Sequence, residues 1–442
     1  STFNAAIAPA VVLVARPAPD GVSVGHEILH VVPRNSPLQA AVEGFVVAQD
    51  DIHRISQDLA INYPDAWKIF LWGSSADLQL VTRLRANHPT IEELVDKHGW
   101  HASRGFAVHG AANDASHIAG MRVVTAKKIL PFKELESEPT FVEDEVMDRP
   151  RSRELFMGPH VLIRRGLVHG RPAAVLVEDD AAFNNSIFGI AAPGTNVDDL
   201  RIITAYVNSS LGTYYHFMTS GSWGVEREFL EQSEHLALPF AQVSGPTARR
   251  LLKAAKKAES RSIADDVSWR HELDEAVFAA YDLTDEEIRT VRDALATSLD
   301  QFERGHASSA FSRPSEEALL GYQDALKTYL SLALPSLSPL VALRSGPAAY
   351  GVASIDLGAD RSPAVVEASS ERVIQGLIAQ VDTATSEWPS HATVLQPSLL
   401  ILDQDVIHIV KPNELRFWTS GSARSDAGEV LGAAGLSQQV GV

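Results

Sequence analysis

The side chains best suited to reading or gripping a polyanion lie between residues 160 and 230. Arg164 and Arg165 stand together at the end of an apolar run, HVLIRRG (160–166), and Arg171 follows shortly after. Asn184, Asn185 and Ser186 interrupt a second apolar run, AAFNNSIFGI (181–190). Trp223 lies between Gly221 and Gly224, and Arg227 comes next. A guanidinium can take a guanine edge through two parallel hydrogen bonds, and a carboxamide can do the same for adenine. Arginine, serine and backbone amides hold phosphates without reading sequence. Strand alternation turns one of Arg164 and Arg165 outward, and at least one of residues 184–186. Each assignment has a structural rival: a salt bridge for the arginines, a turn or ladder-end cap for residues 184–186, and a packing anchor for Trp223. Tyr206, Tyr214, Tyr215 and Phe217 could stack on bases, but aromatics at this spacing more often form a core. Lys411, Arg416, Trp418 and Arg424 make a second basic and aromatic group, a candidate second contact. The run ARRLLKAAKKAESR (248–261) is a phosphate-contact candidate or a solvated helix face.

Other chemistries lack their residues. No lysine has an acidic residue two positions before it, the arrangement used by common metal-dependent nucleases. His98, His101 and His109 are not joined by a carboxylate at helical spacing, and there is no His-Glu-x-x-His, so no metal site is expected. Ser220-Gly221-Ser222 is not the Gly-x-Ser-x-Gly turn of a nucleophilic serine. Consecutive Glu178, Asp179 and Asp180 point different ways and suit a turn.

The 442 residues suffice for two to four domains with ample core. With no cysteine, disulfides and thiolate metal sites are excluded, which fits a cytoplasmic protein. No apolar run approaches the ~20 residues a bilayer-spanning helix needs. The formal net charge of −18 opposes a simple DNA-coating protein, but a local basic face can act against the sum.

The elements that must carry these residues are mixed, and an α+β (mixed α/β) fold is expected. APAVVLVAR (8–16) and HEILHVVP (26–33) read as neighbouring strands, and residues 37–63 look helical at their start and end. Helical spacing runs from 64 to 100, with Thr90 an N-cap. The acidic stretch 134–148 reads as an exposed linker. Residues 160–166, 172–179 and 183–193 read as strands, and 198–218 as a helix. A helical pair breaks at 282–284, where Thr284 and Glu287 form a capping box, and a helix is expected at 315–333. A helix over 371–384, a strand pair around 399–412 and a frayed tail after about 428 complete the chain.

Taken in order, several of these pieces resemble the target-recognition part of restriction-type adenine DNA methyltransferases. They are GPHVLIRRG (158–166), FNNSIFGI (183–190), ITAYVNSSLGTYYHFMTS (203–220), SWGVEREFLEQSEHLALPF (222–240) and LDEAVFAAYDLTDEEI (273–288). APAVVLVAR (8–16) is similar to a late strand of the methyltransferase sheet, WKIFLWGSSADLQLVTRL (67–84) to the segment after it, and residues 406–431 to a distal module of large type IIG and phage-exclusion enzymes. The resemblance implies four regions: 1–133, the end of a methyltransferase-like domain plus a helical segment; 150–245, the target-recognition domain; 246–333, a helical hairpin region; and 350–442, a small α/β module. It also implies double-stranded DNA as ligand, with Arg164, Arg165, Arg171, Asn184, Asn185, Ser186, Trp223 and Arg227 at the interface and Lys411, Arg416 and Trp418 at a second one.

Such enzymes hold S-adenosylmethionine with a Gly-rich turn and the flipped base with an Asn/Asp-Pro-Pro-aromatic loop. This chain has no adjacent prolines and no Gly-x-Gly. The family's catalytic motifs precede the segment matching residue 8, so the expectation is a C-terminal half, a split-gene subunit or a fragment. It would need S-adenosylmethionine on a partner chain, either a catalytic methyltransferase half or another defence subunit. The alternative expectation is a non-enzymatic scaffold or DNA-mimicking subunit, which the charge of −18 favours. A nuclease or hydrolase has little in the residues to support it.

Overall fold

The computed structural model describes residues 13, 26–32, 51–136, 138–261, 268–335, 339–345, 350–356, 399–403 and 406–433. The expected strand at 8–16, apart from Leu13, the helical start at 37–50 and the helix at 371–384 lie outside them. The fold is α+β, with several small sheets among many helices. The chain divides into two compact units. One comprises residues 1–17 and 77–291, the other 18–76 and 292–442.

In the first unit α1 (Ile91–His98) is started by a capping box in which Thr90 and Glu93 satisfy each other's backbone amides and is stopped by left-handed Gly99. Its main sheet has four antiparallel strands: β1 (His101–Arg104), β2 (His160–Arg164), β3 (Ala174–Val177) and β4 (Ile187–Ala191), in the order β3-β2-β4-β1. β4 is buried throughout, as a central strand covered on both faces must be. Register places Ile163, Phe188 and Arg104 side by side on one face and Leu162, Gly189 and Ser103 on the other. On the second face Leu162 and Ile187 join a core with Phe156, Phe183, Val175 and Val177.

Two glycines make that core possible. A Cβ on Gly189 would lie 2.2 Å from the Phe183 ring, and one on Gly105 would lie 1.9 Å from the Phe183 carbonyl oxygen. Phe183 belongs to a short strand, Ala182–Phe183, paired in parallel with Arg122–Val124, which pairs in turn with Thr140–Phe141. The stretch 134–148 is therefore not a linker. Glu136, Glu138, Glu143, Asp144 and Glu145 are exposed, Glu134 pairs with Arg122, and Val142 and Met147 enter the core.

The expected helix at 198–218 is two helices, α2 (Val197–Asn208) and α3 (Ser210–Thr219). Ser209 is extended, and its hydroxyl caps α3 by accepting from the Gly212 amide. The apolar spacing runs through this break, because both helices are buried on nearly every side. Asn208 turns its carboxamide onto the free edge of β3: Oδ1 accepts from the Ala174 amide and Nδ2 donates to the Ala174 carbonyl, both at 2.9 Å. The sheet edge is thereby closed by a side chain.

α4 (Gln232–Leu236) follows. His235 of α4 stacks on Phe188 and meets His216 of α3 edge-on, with ring centroids 5.9 and 5.0 Å apart. Among the described residues neither imidazole has a hydrogen-bond partner. Burial holds His235 down to about 3; His216 lies well below its ordinary value through burial and then through His235. α5 (Gly245–Ser260) and α6 (Ser268–Ala280) close the unit. Thr284 and Glu287 form the expected capping box at the next helix start.

The second unit holds an antiparallel sheet of Leu340–Ser345, Tyr350–Asp356, Val406–Pro412 and Leu399–Asp403, in that spatial order. One sheet face packs with helix Glu316–Ala333 and helix Ser420–Ala433 around Tyr322, Leu326, Phe417 and Trp418. The last helix runs to Ala433, beyond the point where the sequence suggests fraying. The strand Glu27–Val31 pairs with Ile52–Ser56. Among the described residues no helix is long and apolar enough to cross a membrane.

Two expectations follow. Gly105→Ala should lower the denaturation midpoint of the chain, costing about 1–3 kcal/mol from overpacking. Gly221→Ala, with nothing within 4 Å of the added carbon, should leave it nearly unchanged. Equal midpoints would mean that the Gly105 contact is not tight in solution. The second concerns pH. His216 and His235 are neutral when folded, whereas an unfolded histidine takes up a proton below pH ~6.5. Stability should therefore be full above that value and fall on going from pH 7 to pH 5, by about 1.4 kcal/mol per pH unit for each histidine once below it. His235→Phe should flatten this limb, and a flat wild-type profile over that window would contradict neutral burial.

Candidate nucleic-acid interface

At one end of the first unit's main sheet, five chain segments are laced together by backbone hydrogen bonds. The Gly105 amide donates to Ile187 O, the Phe106 amide to Phe183 O, and the Asn185 amide to Phe106 O, at 3.1, 2.9 and 2.8 Å. Ala107 bridges Arg149. The Arg165 amide donates to Ser186 O, and the Leu230 amide to Arg165 O, both at 3.0 Å. Four of these segments bring an arginine to, or next to, this junction: Arg104, Arg149 with Arg151, Arg165, and Arg227, around the loop 184–186, which is the fifth.

The side chains meet as the backbone predicts. Arg104 Nε donates to Asn185 O at 3.1 Å, and its NH1 lies 3.4 Å from Glu231 Oε2. Arg165 NH2 donates to Glu231 Oε1 at 2.5 Å, while its guanidinium lies 4.2 Å from the Phe229 ring centroid. Arg227 approaches the same ring at 6.0 Å and pairs with Glu226. Arg151 Nε lies 3.4 Å from Gly105 O, and Arg151 itself is left-handed, with φ 65°. Arg149 is exposed and pairs with Asp148. Burial lowers the Arg104 pKa, and Arg165, Arg149 and Arg151 lower it further, while Glu231 works against them. Five guanidinium groups thus gather with three directly paired carboxylates, in a chain whose overall charge is −18.

The structure brings Arg165, Asn184, Asn185, Ser186 and Arg227 together. Asn184 is committed to its own turn, its Oδ1 accepting from the Ser186 amide at 3.0 Å. Asn185 is half-buried and Ser186 exposed; among the described residues the Asn185 carboxamide has no hydrogen-bond partner. Arg164, on the strand face opposite to Arg165, is half-buried. Arg171 bonds elsewhere: its NH1 lies 3.4 Å from Ser210 Oγ, beside Asp274 and Arg270.

Three candidates lie inside the protein. Trp223 is fully buried, edge-on to Phe217 at 5.5 Å, so it anchors the 220–227 turn. Lys411 is 2% exposed and bonds Asp426 and, at 2.7 Å, Phe417 O, under the Tyr322 and Trp418 rings. Trp418 is 1% exposed. Arg416 lies over Phe417 and Phe311 and pairs with Glu414 at 2.8 Å. The presumed second contact is thus an interior cluster of the second unit. The basic run on α5 is an exposed face, partly paired by Lys256 with Asp198 and Lys257 with Glu272. Sequence reasoning missed Arg104, Phe229 and Glu231. Arg104 carried no local signal, because its partners are supplied by residues about 80 and 127 positions away.

No family model matches this chain, and no curated protein matches it. Among solved structures that match is the type IIL restriction-modification enzyme MmeI in complex with DNA, with 11% sequence identity and a TM-score of 0.31. The match covers 46% of this chain and 36% of that enzyme's chain.

Proposed function

We propose that this chain is the DNA target-recognition part of an adenine-specific DNA methyltransferase of restriction-modification or phage-defence kind. In this reading a partner chain supplies S-adenosylmethionine and the base pocket. The observation that carries the DNA assignment is the gathering of Arg104, Arg149, Arg151, Arg165 and Arg227 around the loop 184–186. Arginines collected from separated segments can match the spacing of a phosphate backbone. Asn185 and Ser186 sit at the centre of that group, with polar side chains suited to base edges. The adenine and methyltransferase parts rest on the ordered sequence resemblance. The partner assignment rests on the missing Pro-Pro and Gly-x-Gly motifs.

The surrounding carboxylates and the overall charge imply weak binding away from a target site, with steep dependence on salt. The test is a titration of the full chain with a mixed-sequence DNA duplex across a series of salt concentrations. Arg104→Ala and Arg165→Ala should each weaken binding across all sequences and reduce the log–log salt slope by about one. Binding that is absent, or unaffected by salt and by both substitutions, would favour a protein-binding scaffold instead. Methyl transfer to adenine should require a catalytic partner chain, so methylation by this chain alone would overturn the split-enzyme reading.

A further inference from the structure

We infer that Glu231 is an internal stand-in for a phosphate group, occupying a seat between Arg104 and Arg165 that a DNA phosphodiester takes by displacing it. The inference draws on the DNA-recognition reading only for the source of that phosphate.

The two carboxylate oxygens divide between two arginines: Oε1 takes Arg165 NH2 at 2.5 Å, and Oε2 faces Arg104 NH1 at 3.4 Å. A tetrahedral oxyanion bridging two guanidinium groups would use its oxygens in the same way. The carboxylate fills the seat incompletely: among the described residues Arg165 Nε has no hydrogen-bond partner. It is also accessible, with 37% of the Glu231 side chain exposed.

The seat is held by bonds that do not involve Glu231. Arg104 Nε is fixed on Asn185 O at 3.1 Å, and the Arg104 amide accepts no change if the carboxylate leaves, since it donates to Gln232 Oε1 at 3.2 Å. Arg165 rests on the Phe229 ring, and its backbone is tied on both sides, to Ser186 O and by the Leu230 amide. When the Glu231 side chain rotates away, both guanidinium groups remain in place, with Arg149 and Arg151 nearby.

The carboxylate then has a definite effect on binding. It offsets the repulsion between Arg104 and Arg165 in the free protein, and it competes with phosphate for the same donors. Random DNA must displace it, which lowers non-specific affinity, while a target site adds base contacts that make the exchange favourable.

The test uses the full chain carrying Glu231→Gln, which keeps side-chain shape and removes the charge. Glu231→Ser is a second variant, since serine is favoured at the helix-start position that Glu231 holds before α4. Two readouts are compared with wild type. With inorganic phosphate as probe, both variants should gain a concentration-dependent rise in melting temperature that wild type lacks, and Arg165→Ala should abolish it in the double variant. With a mixed-sequence duplex at low salt, both variants should bind about three- to ten-fold more tightly, with a salt slope steeper by about one. If phosphate stabilises only the variants while no protein binds the duplex, the seat stands and the DNA reading fails. If wild type binds the duplex and neither variant changes affinity, slope or response to phosphate, Glu231 is a structural ion-pair partner and the inference is overturned.

Discussion

The arginine-lined end of the first unit depends on one close approach. The backbone of Phe183 and Asn184 passes so near Gly105 that a Cβ there would lie 1.9 Å from a carbonyl oxygen. That approach lets the Phe106 amide reach Phe183 O and the Asn185 amide reach Phe106 O. It also lays the Phe183 ring across Gly189, where it seals the core beneath the sheet. The loop 184–186 is therefore a rigid crossing, pinned by a buried aromatic ring on one side and by backbone bonds on the other. Arg104, immediately before Gly105, takes its position from the same crossing.

Electrostatics explains how a basic end can exist in an acidic protein. The Debye length is about 8 Å at physiological salt, so an anion placed at this junction would respond to the nearest guanidinium groups far more than to distant carboxylates. Within the junction, burial and mutual repulsion work against the arginines, and Glu231 is the local counterweight. The Arg201 group shows the contrasting case. Its guanidinium is answered by Glu178, Asp198 and Glu259 and is 10% exposed, so it ties α2 to α5 and offers nothing to a ligand.

Local signals were legible in the sequence, and long-range ones were not. The strands around 160–166 and 172–179 and the caps at Thr90 and Thr284 were readable, because period, β-branched content and capping chemistry act over a few residues. The polar pair Asn208 and Ser209 was the one sign of a helix end there, since α2 and α3 are buried nearly all round and apolar spacing alone cannot mark where one ends. The stretch 134–148 was misread because its charges outnumber the buried Val142 and Met147. For the site, residues 184–186 and Arg165 stood out by composition alone. Arg104 did not, because β1 reads His-Ala-Ser-Arg and gains its meaning from pairing with β4. Lys411 and Trp418 looked like surface recognition residues, yet Asp426 and Tyr322 draw them into the interior.

In the proposed function DNA meets this chain at the Gly105 crossing. Hydrogen–deuterium exchange on the full chain, with and without a saturating mixed-sequence duplex at low salt, tests it most directly. Exchange should slow in residues 102–107, 147–151, 163–167, 184–188 and 227–232, with α5 unchanged. Protection confined to α5 or to the second unit, or no protection under conditions where binding is saturated, would contradict it.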